Sequence, residues 1–309
     1  MAKKVQLAPN LEGRSFYANN IPEAQRNLEK AGLIAVPMYT LAKGFPYEEW
    51  YTPNTADFSG IDTQGRYTDK GKGVVITVHG GSDGWAFPPA RIEQALKTWN
   101  ASGEKSGTGV NQLYAAILNQ EDIDNLLEGR MLDGNQSPVV AYEDFKGVPA
   151  VLKRYAVVRP LELARQRDSS DKNIRRLCDK NGEVTDTQLI IYAGSKEAAQ
   201  KIVDKLQKEP FNWEKLGVRH PFNSEYFDAE QPQGRVPVLL SDGIGFNGYD
   251  SIHHYARCVG VAPEALKEIY GGGLALSQNS LEGMLSFTEK TPGSLSLFEK
   301  MREKITPKK

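Results

Sequence analysis

The chain has 309 residues, enough for two domains of ordinary size, and 39% of them are hydrophobic and 25% charged, as in globular proteins. Its 38 basic residues are balanced by 39 acidic ones, so composition excludes a strongly charged surface for nucleic acid or an anionic membrane. No apolar run approaches a membrane span, and we expect no secretory signal. The only cysteines, Cys178 and Cys258, predict free thiols, a reducing compartment and a cytoplasmic location.

The first forty residues predict one helix and one short strand. Residues 21–32 have Pro22 near the first helical position and end on Gly32, a pattern typical of a helix and its stop signal. Residues 33–38 are apolar and predict a strand. Because proline cannot donate a hydrogen bond to a neighbouring strand, Pro37 places this strand at a sheet edge or at its own end.

An aromatic-rich segment follows over residues 44–73. Its glycine, proline, asparagine and aspartate residues predict a loop in place of regular structure. A long loop with many aromatic side chains either packs on its own domain or forms a contact surface, and the sequence leaves both alternatives open.

Residues 74–79 predict a strand that leads through a glycine-rich turn into a helix, whose Ile92, Leu96 and Trp99 share one apolar face. The turn places Ser82 in a G-x-S-x-G pattern, which is typical of the serine nucleophile of esterases. A nucleophile elbow needs a helix immediately after the serine, and here Pro88 and Pro89 delay it. The delay favours a glycine-rich turn, with an anion-binding loop as the alternative.

A hydrolase would also need a histidine base downstream of Ser82. His220, His253 and His254 satisfy the chain order of a Ser-Asp-His triad. These histidines lie in the other predicted domain, which further weakens the hydrolase interpretation.

The rest of the first half predicts further alternation of helices and strands. Helices are predicted over 111–118 and 120–128, the second with Asn119 as its N-cap and acidic residues in its first turn. Two strands are predicted over 137–158. We therefore expect a mixed α/β domain of unknown role over residues 1–162.

A polar segment separates the two halves of the chain. Residues 163–186 carry dense charge of alternating sign, which is typical of a solvated helix or a linker. We place the domain boundary here.

Residues 187–207 predict a strand followed by a helix. The run Leu189–Tyr192 is continuously apolar, as expected for a strand buried on both faces. Gly194 permits a turn, and the Ser195 side chain is suited to capping the helix that follows. A strand followed by a helix predicts a crossover to a parallel neighbour, so the fold class is α/β.

A family resemblance rests on two segments further along the chain. PQGRVPVLLSDG (232–243) looks like the segment of glutathione transferases that carries a cis-proline into the third strand. YDSIHHYARCVG (249–260) resembles the third helix of that family, with Ile252 and Tyr255 in its Ile-x-x-Tyr pattern.

The resemblance implies that residues 187–260 form a thioredoxin-like domain with a glutathione site. Val236, which precedes Pro237, would present its backbone to the cysteinyl part of glutathione. Asp250 and Ser251 would receive the γ-glutamyl end.

The resemblance also implies a residue that activates the glutathione thiol near the end of the first strand. Tyr192 and Ser195 are the candidates in this sequence, and Ser195 lies at a predicted helix N-terminus that favours an anion. Glutathione is therefore the one possible cofactor.

A metal site is the weaker alternative in the same region. Asp250, His254 and Cys258 lie at i, i+4 and i+8, one face of the predicted helix. A single helical face cannot close a tetrahedral site, so we predict no metal and treat Cys258 as a small buried hydrophobe.

Residues 261–309 predict a Gly/Ser-rich segment and an amphipathic tail that could dock on a partner or on the first domain. Only about fifty residues follow the predicted third helix, too few for the helical domain that completes transferases. We therefore predict a structural or interaction protein with a protein partner, built on a thioredoxin-like domain. The alternative is a glutathione-dependent transferase or thiol-handling enzyme.

Overall fold

The structure is a computed structural model of the chain, and it describes residues 2–8, 11–42, 54–102, 116–148, 153–165, 177–208, 217–219, 231–239, 245–247 and 256–265. All of these lie in one unit, Met1–Leu266. A second unit, Lys267–Lys309, lies outside the described residues and contains most of the predicted C-terminal tail.

Thirteen strands and seven helices are used below, numbered in chain order. The strands are β1 (Ala2–Ala8), β2 (Leu11–Ala18), β3 (Ile34–Ala35), β4 (Thr55–Ile61), β5 (Gly73–His79), β6 (Ala116–Ile117), β7 (Val139–Ala141), β8 (Tyr155–Pro160), β9 (Gly217–Arg219), β10 (Gln233–Arg235), β11 (Val238–Leu239), β12 (Gly245–Asn247) and β13 (Ala256–Val261). The helices are α1 (Ile21–Lys30), α2 (Met38–Ala42), α3 (Pro89–Ser102), α4 (Gln120–Leu127), α5 (Leu161–Ala164), α6 (Thr187–Ala193) and α7 (Lys196–Lys208).

The largest sheet has six strands in the order β6-β10-β4-β5-β8-β7. All neighbours are antiparallel except β7 and β8, which run parallel. Strands β4, β5 and β8 are buried over almost their whole length, as expected for the centre of a sheet covered on both faces.

A second sheet joins the two ends of the described chain. Its order is β1-β2-β13-β3, and every pair is antiparallel. A small third sheet has the order β11-β12-β9, antiparallel between β11 and β12 and parallel between β12 and β9.

The hydrophobic core lies between these elements. It combines side chains of α1, β4, β5, α3, α4 and β8 with Ala256 and Cys258 of β13. Phe58 and Phe87 meet edge to face in this core, with ring centroids 5.2 Å apart. The core therefore connects the six-stranded sheet to the four-stranded one.

The structure confirms several predicted elements of the first half. Helix α1 begins beside Pro22 and ends before Gly32, which has a positive φ of 66°. Strand β5 and helix α3 follow each other as predicted. Helix α4 is capped by Asn119, whose side chain accepts from the Asp122 N–H at 2.8 Å in a reciprocal capping box.

Two predictions in the first half are wrong. The aromatic segment 44–73 contains strand β4, a central strand of the large sheet, where a loop was expected. The turn residues that suggested a loop lie mostly around this strand. The predicted helix 111–118 ends in strand β6, and its first five residues lie outside the described part of the chain.

The predicted strand Leu189–Tyr192 is a helix. Asp186 caps α6 by accepting the Leu189 N–H at 2.8 Å, and Gly194 ends it with φ 86°. All seven residues of α6 are buried, and a helix that is buried on every side needs no polar face. A short apolar run is compatible with either structure, so periodicity could not separate them.

The predicted third helix of the second half is also wrong where the structure describes it. Residues 256–261 form strand β13 between β2 and β3, and residues 248–255 lie outside the described part of the chain. Strand β10, from the same half, is hydrogen-bonded to β4 of the large sheet. Gly234 permits this pairing because a Cβ there would lie 2.9 Å from the Phe58 ring.

The α/β class is confirmed by this mixture of helices and mixed sheets. Of the predicted linker 163–186, residues 166–176 lie outside the described part of the chain, so the boundary there stays a prediction. No helix within the described residues is long and apolar enough to cross a membrane.

Candidate functional site

Tyr192, the first candidate catalytic residue, lies on α6 and has no solvent exposure. Its hydroxyl donates to Asp57 Oδ2 on β4. The Thr77 hydroxyl on β5 donates to Asp57 Oδ1 at 2.6 Å. Asp57 is therefore the common acceptor of a buried group of side chains.

Two further side chains complete this group. The Arg159 guanidinium on β8 donates to Thr187 Oγ1 at 3.2 Å and to the Gln188 side-chain oxygen. Gln188 Nε2 lies 3.4 Å from each oxygen of Asp57. We call this set, Asp57, Thr77, Arg159, Gln188 and Tyr192, the Asp57 network.

The electrostatics of the network keep the Tyr192 phenol protonated. Burial, followed by the Asp57 charge, raises the pKa of Tyr192 well above its ordinary value. Burial also raises the pKa of Asp57, although Arg159 and three hydrogen bonds act in the opposite direction. Tyr192 is thus a neutral hydrogen-bond donor inside the protein, and the network connects α6 to the large sheet.

The other candidate residues lie at different places. The Ser195 side chain accepts the Ala198 N–H at 3.0 Å and caps α7, as predicted. Val236 and Pro237 are buried between β10 and β11. Asp250 and Ser251 lie outside the described residues.

The glycine-rich turn after β5 is not built as a nucleophile elbow. Helix α3 begins at Pro89, several residues after Ser82, and Gly81 and Gly84 form an isolated bridge across the turn. Asn54 shapes the turn by accepting the Gly80 N–H with its backbone and the Ala86 N–H with its side chain, at 2.9 and 2.8 Å.

No group of three or more metal-ligating side chains occurs among the described residues. Cys258 is on a strand and is buried, and burial raises the pKa of its thiol to about 12. It therefore packs as a neutral, weakly polar side chain. His220, His253 and His254, which the triad and metal hypotheses required, lie outside the described part of the chain.

Arg154 connects two loops at one end of the large sheet. The residue directly precedes β8, and its side chain has no solvent exposure. The guanidinium donates to the Trp85 carbonyl at 3.0 Å, to Asp133 Oδ2 at 2.7 Å and, through Nε, to Ser137 Oγ at 3.0 Å. The Arg154 N–H also donates to Asp83 Oδ1 at 2.8 Å. One buried residue thus holds both loops against the sheet.

We call the two loops, residues 80–88 and 129–137, the loop platform. The second loop closes on itself through the Ser137 N–H to Gly129 carbonyl bond at 2.8 Å and a turn at Gly134, where φ is 83°. In the first loop Gly84 has φ 152°, and a Cβ there would lie 2.7 Å from the Arg154 guanidinium. The backbone of the platform is therefore determined by glycines and by buried partners.

The Arg154 guanidinium beneath the platform partly neutralises the negative charge of Asp133. Burial opposes ionisation of Asp133, but the hydrogen bonds from Arg154 and Asn135 outweigh it and lower the pKa of its carboxyl. Above the buried Arg154 the platform presents exposed residues, namely Ser82, Asp83, Arg130, Asp133, Gly134, Asn135 and Gln136. The result is a preorganised polar surface.

The sequence did not single out Arg154, Asp133 or Asp57. Gly84 was visible as part of the glycine-rich turn, but the reason for that glycine, the guanidinium behind it, was not. Arginine next to an apolar strand is common at protein surfaces, so nothing local indicated a buried one.

His79 is buried at the end of β5. Its Nδ1 lies 3.1 Å from Thr55 Oγ1, and its ring stacks on Tyr155 at 5.0 Å. Burial lowers the pKa of His79 from 6.5 to about 3. The folded protein therefore keeps this imidazole neutral, whereas the unfolded chain protonates it below pH 6.5.

Acid should therefore destabilise the protein through His79. Its contribution is intact above pH 6.5 and is lost as the pH falls toward 3, at up to about 1.4 kcal/mol per pH unit. Between pH 6.5 and 5, the wild type should lose about 2 kcal/mol more than His79→Gln, as measured by urea unfolding at each pH. Equal pH dependence in the two proteins would contradict this assignment.

Comparison with known proteins supports the fold. No family model matches the chain, and no curated protein matches it. A solved structure described as "Accommodation of massive sequence variation in Nanoarchaeota by the C-type lectin fold" is similar, with a TM-score of 0.54 and 19% identity. The match covers 83% of this chain and 100% of that chain.

This likeness concerns the fold and corrects the resemblance drawn from residues 187–260. The chain is similar to a C-type lectin fold, and the prediction of a thioredoxin-like, glutathione transferase-like domain is wrong. Two functions were predicted from that domain, an interaction protein built on it and a glutathione-dependent enzyme, and both predictions are therefore wrong as well. The helix at 187–193 and the strand at 256–261 are the local reasons, since each replaces an element that the transferase pattern requires.

Proposed function

We propose that this chain is a recognition protein, in which a fold similar to that of C-type lectins presents the loop platform to a protein partner. The observation that carries this proposal is the position of Arg154. It is buried beneath both loops and contacts them at Trp85, Asp133 and Ser137.

A surface held in this way loses little conformational entropy when a partner binds. The loops already have hydrogen-bonded backbones before binding, so less ordering accompanies association. The exposed side chains above them contribute the specific contacts. This division allows the binding residues to differ without loss of the loop conformation.

The similar structure supports the same division of roles. That protein is described as accommodating massive sequence variation by the C-type lectin fold. In this chain Asn135 and Gln136 are exposed, and substitutions at these two positions should be tolerated, because nearby buried groups keep the loop in its conformation.

A protein is favoured over a nucleic acid as the partner. The net charge is −1, and the exposed charged residues of the platform are two acidic ones, Asp83 and Asp133, and one basic one, Arg130. A nucleic-acid surface would instead need clustered lysine and arginine. The cytoplasmic location stays a prediction.

The proposal is tested with two variants of the full chain that carry the same charge change. Asn135→Lys/Gln136→Lys alters the platform. Asn181→Lys/Gln64→Lys, the control, places the same substitutions at exposed sites of the same residue types elsewhere. Each protein is immobilised, partners captured by the wild type from cell extract are identified by mass spectrometry, and the purified partner is titrated.

We expect a partner that binds the wild type and the control equally and binds the platform variant at least tenfold more weakly, about 1.4 kcal/mol. Equal binding by all three proteins would place the partner elsewhere and contradict the proposal. Failure to capture any saturable partner would contradict it as well.

A further inference from the structure

A small cavity lies where helix α1 meets both large sheets. Its polar walls come from Gln25 on α1, Asn54 and Thr55 at the start of β4, and Cys258 on β13. Apolar side chains of α1, α3 and the first platform loop line the remaining sides together with Val236. The cavity is about the size of one water molecule.

The Gln25 side chain has a buried acceptor in this region. Its residue exposure is 4%, and its Nε2 donates to the Phe87 carbonyl at 2.9 Å. This bond fixes the orientation of the amide, because a flipped amide would place the Gln25 oxygen against the Phe87 carbonyl oxygen, and neither atom can donate a hydrogen bond. Gln25 Oε1 is then the opposite end of the amide, and it is buried and has no hydrogen-bond donor among the described residues.

Buried polar atoms without a protein partner commonly bind an ordered water molecule. We propose that one water molecule is bound in this cavity and donates a hydrogen bond to Gln25 Oε1. A hydrophobic occupant would leave the acceptor unpaired, and the space is too small for a larger polar molecule.

Other groups around the cavity suit the same ligand. The Asn54 Oδ1 accepts from the Ala86 N–H, so the NH2 group of that amide is the part that remains to donate to a water. The Thr55 hydroxyl oxygen accepts the Met38 N–H at 2.9 Å and lies 3.1 Å from His79 Nδ1. At most one lone pair of this oxygen is left to accept a hydrogen bond from the water. The protonated Cys258 thiol adds a weak donor.

The water has a structural consequence beyond the proposed recognition role. It joins α1 to the beginning of β4 at the point where Asn54 also shapes the first platform loop. The site therefore completes the hydrogen bonding at the junction of the two large sheets, whatever the platform binds.

A crystal structure of the full chain at about 1.5 Å tests the proposal directly. We expect one peak of water density within hydrogen-bonding distance of Gln25 Oε1, about 2.7–3.2 Å. A cavity without density, or a side chain that moves in to fill it, would overturn the proposal.

A measurement in solution identifies Gln25 as the ligand. In the 15N-labelled protein, we expect magnetisation transfer from a long-lived water to the Asn54 side-chain amide. The Gln25→Met variant should lose this signal, and the control Gln120→Met, at a partly buried glutamine that bonds Ile61 and Asp124, should keep it. A signal that persists in Gln25→Met would overturn the assignment to Gln25, and the wild-type crystal decides the question if that variant fails to fold.

Discussion

Replacing Arg154 with Met should lower the free energy of unfolding by about 3 kcal/mol. The substitution keeps the length of the side chain and removes three hydrogen bonds, to Trp85, Asp133 and Ser137. Removing one member of a buried, charge-assisted set leaves the others unpaired, which costs more than the bonds themselves contributed. Urea unfolding at pH 7 measures the change.

The same substitution should loosen the platform locally. Hydrogen exchange should become faster in residues 80–88 and 129–137, because both loops lose their common partner. Arg14→Met is the control, since Arg14 is an exposed arginine on β2, outside the platform. It should change stability by no more than about 0.5 kcal/mol. If Arg154→Met behaved like this control, Arg154 would not organise the loops and the basis of the proposed function would fail.

Asp57→Ala should lower the free energy of unfolding by about 3–5 kcal/mol. The change removes the common acceptor of Thr77 and Tyr192 and leaves the Arg159 guanidinium without its nearby carboxyl group in the buried interior. Asp57→Asn should cost less, because its one amide oxygen still accepts from one of these two donors. Thermal or urea unfolding of the full chain gives the difference.

A double-mutant cycle shows whether Tyr192 acts through Asp57. In a Tyr192→Phe background, Asp57→Ala should cost less than in the wild type, because the shared hydrogen bond is already absent. Asp69→Ala, at an exposed aspartate of the 62–72 loop, should change stability by no more than about 0.5 kcal/mol. Additive effects of the two network substitutions would show that the two side chains are energetically independent.

Elements with local signals were predicted from the sequence. Pro22 and Gly32 bound α1, and Asn119 caps α4, because the conformations of proline, glycine and capping residues depend on near neighbours. The Ser195 cap of α7 belongs to the same class, although the element before it is a helix in place of a strand.

The error at α6 shows where local signals end. Asp186 and Gly194 bracket the run 187–193 as a cap and a stop signal, and this pair was the available indication of a helix. The apolar run favoured a buried strand because two turns of a fully buried helix have no polar face to create a 3.6-residue period.

The family resemblance failed for a related reason. The glycine in GRVPVL reflects close packing of β10 on Phe58, and the apolar residues that follow it are buried and lead into β11, which pairs with β12. Short apolar segments with one proline satisfy many folds, so the motif carried little information about which strands would be neighbours.

The sequence by itself determined the α/β class, the capped helices α1 and α4, and the near-zero net charge. Only the tertiary structure decided that β4 and β10 pair, that α6 is a helix, and that Arg154 holds two loops. The reason is distance along the chain: Arg154 meets Asp83 across 71 positions, and Tyr192 meets Asp57 across 135. Such partners are selected by packing of the whole molecule, and no local pattern of residues specifies them.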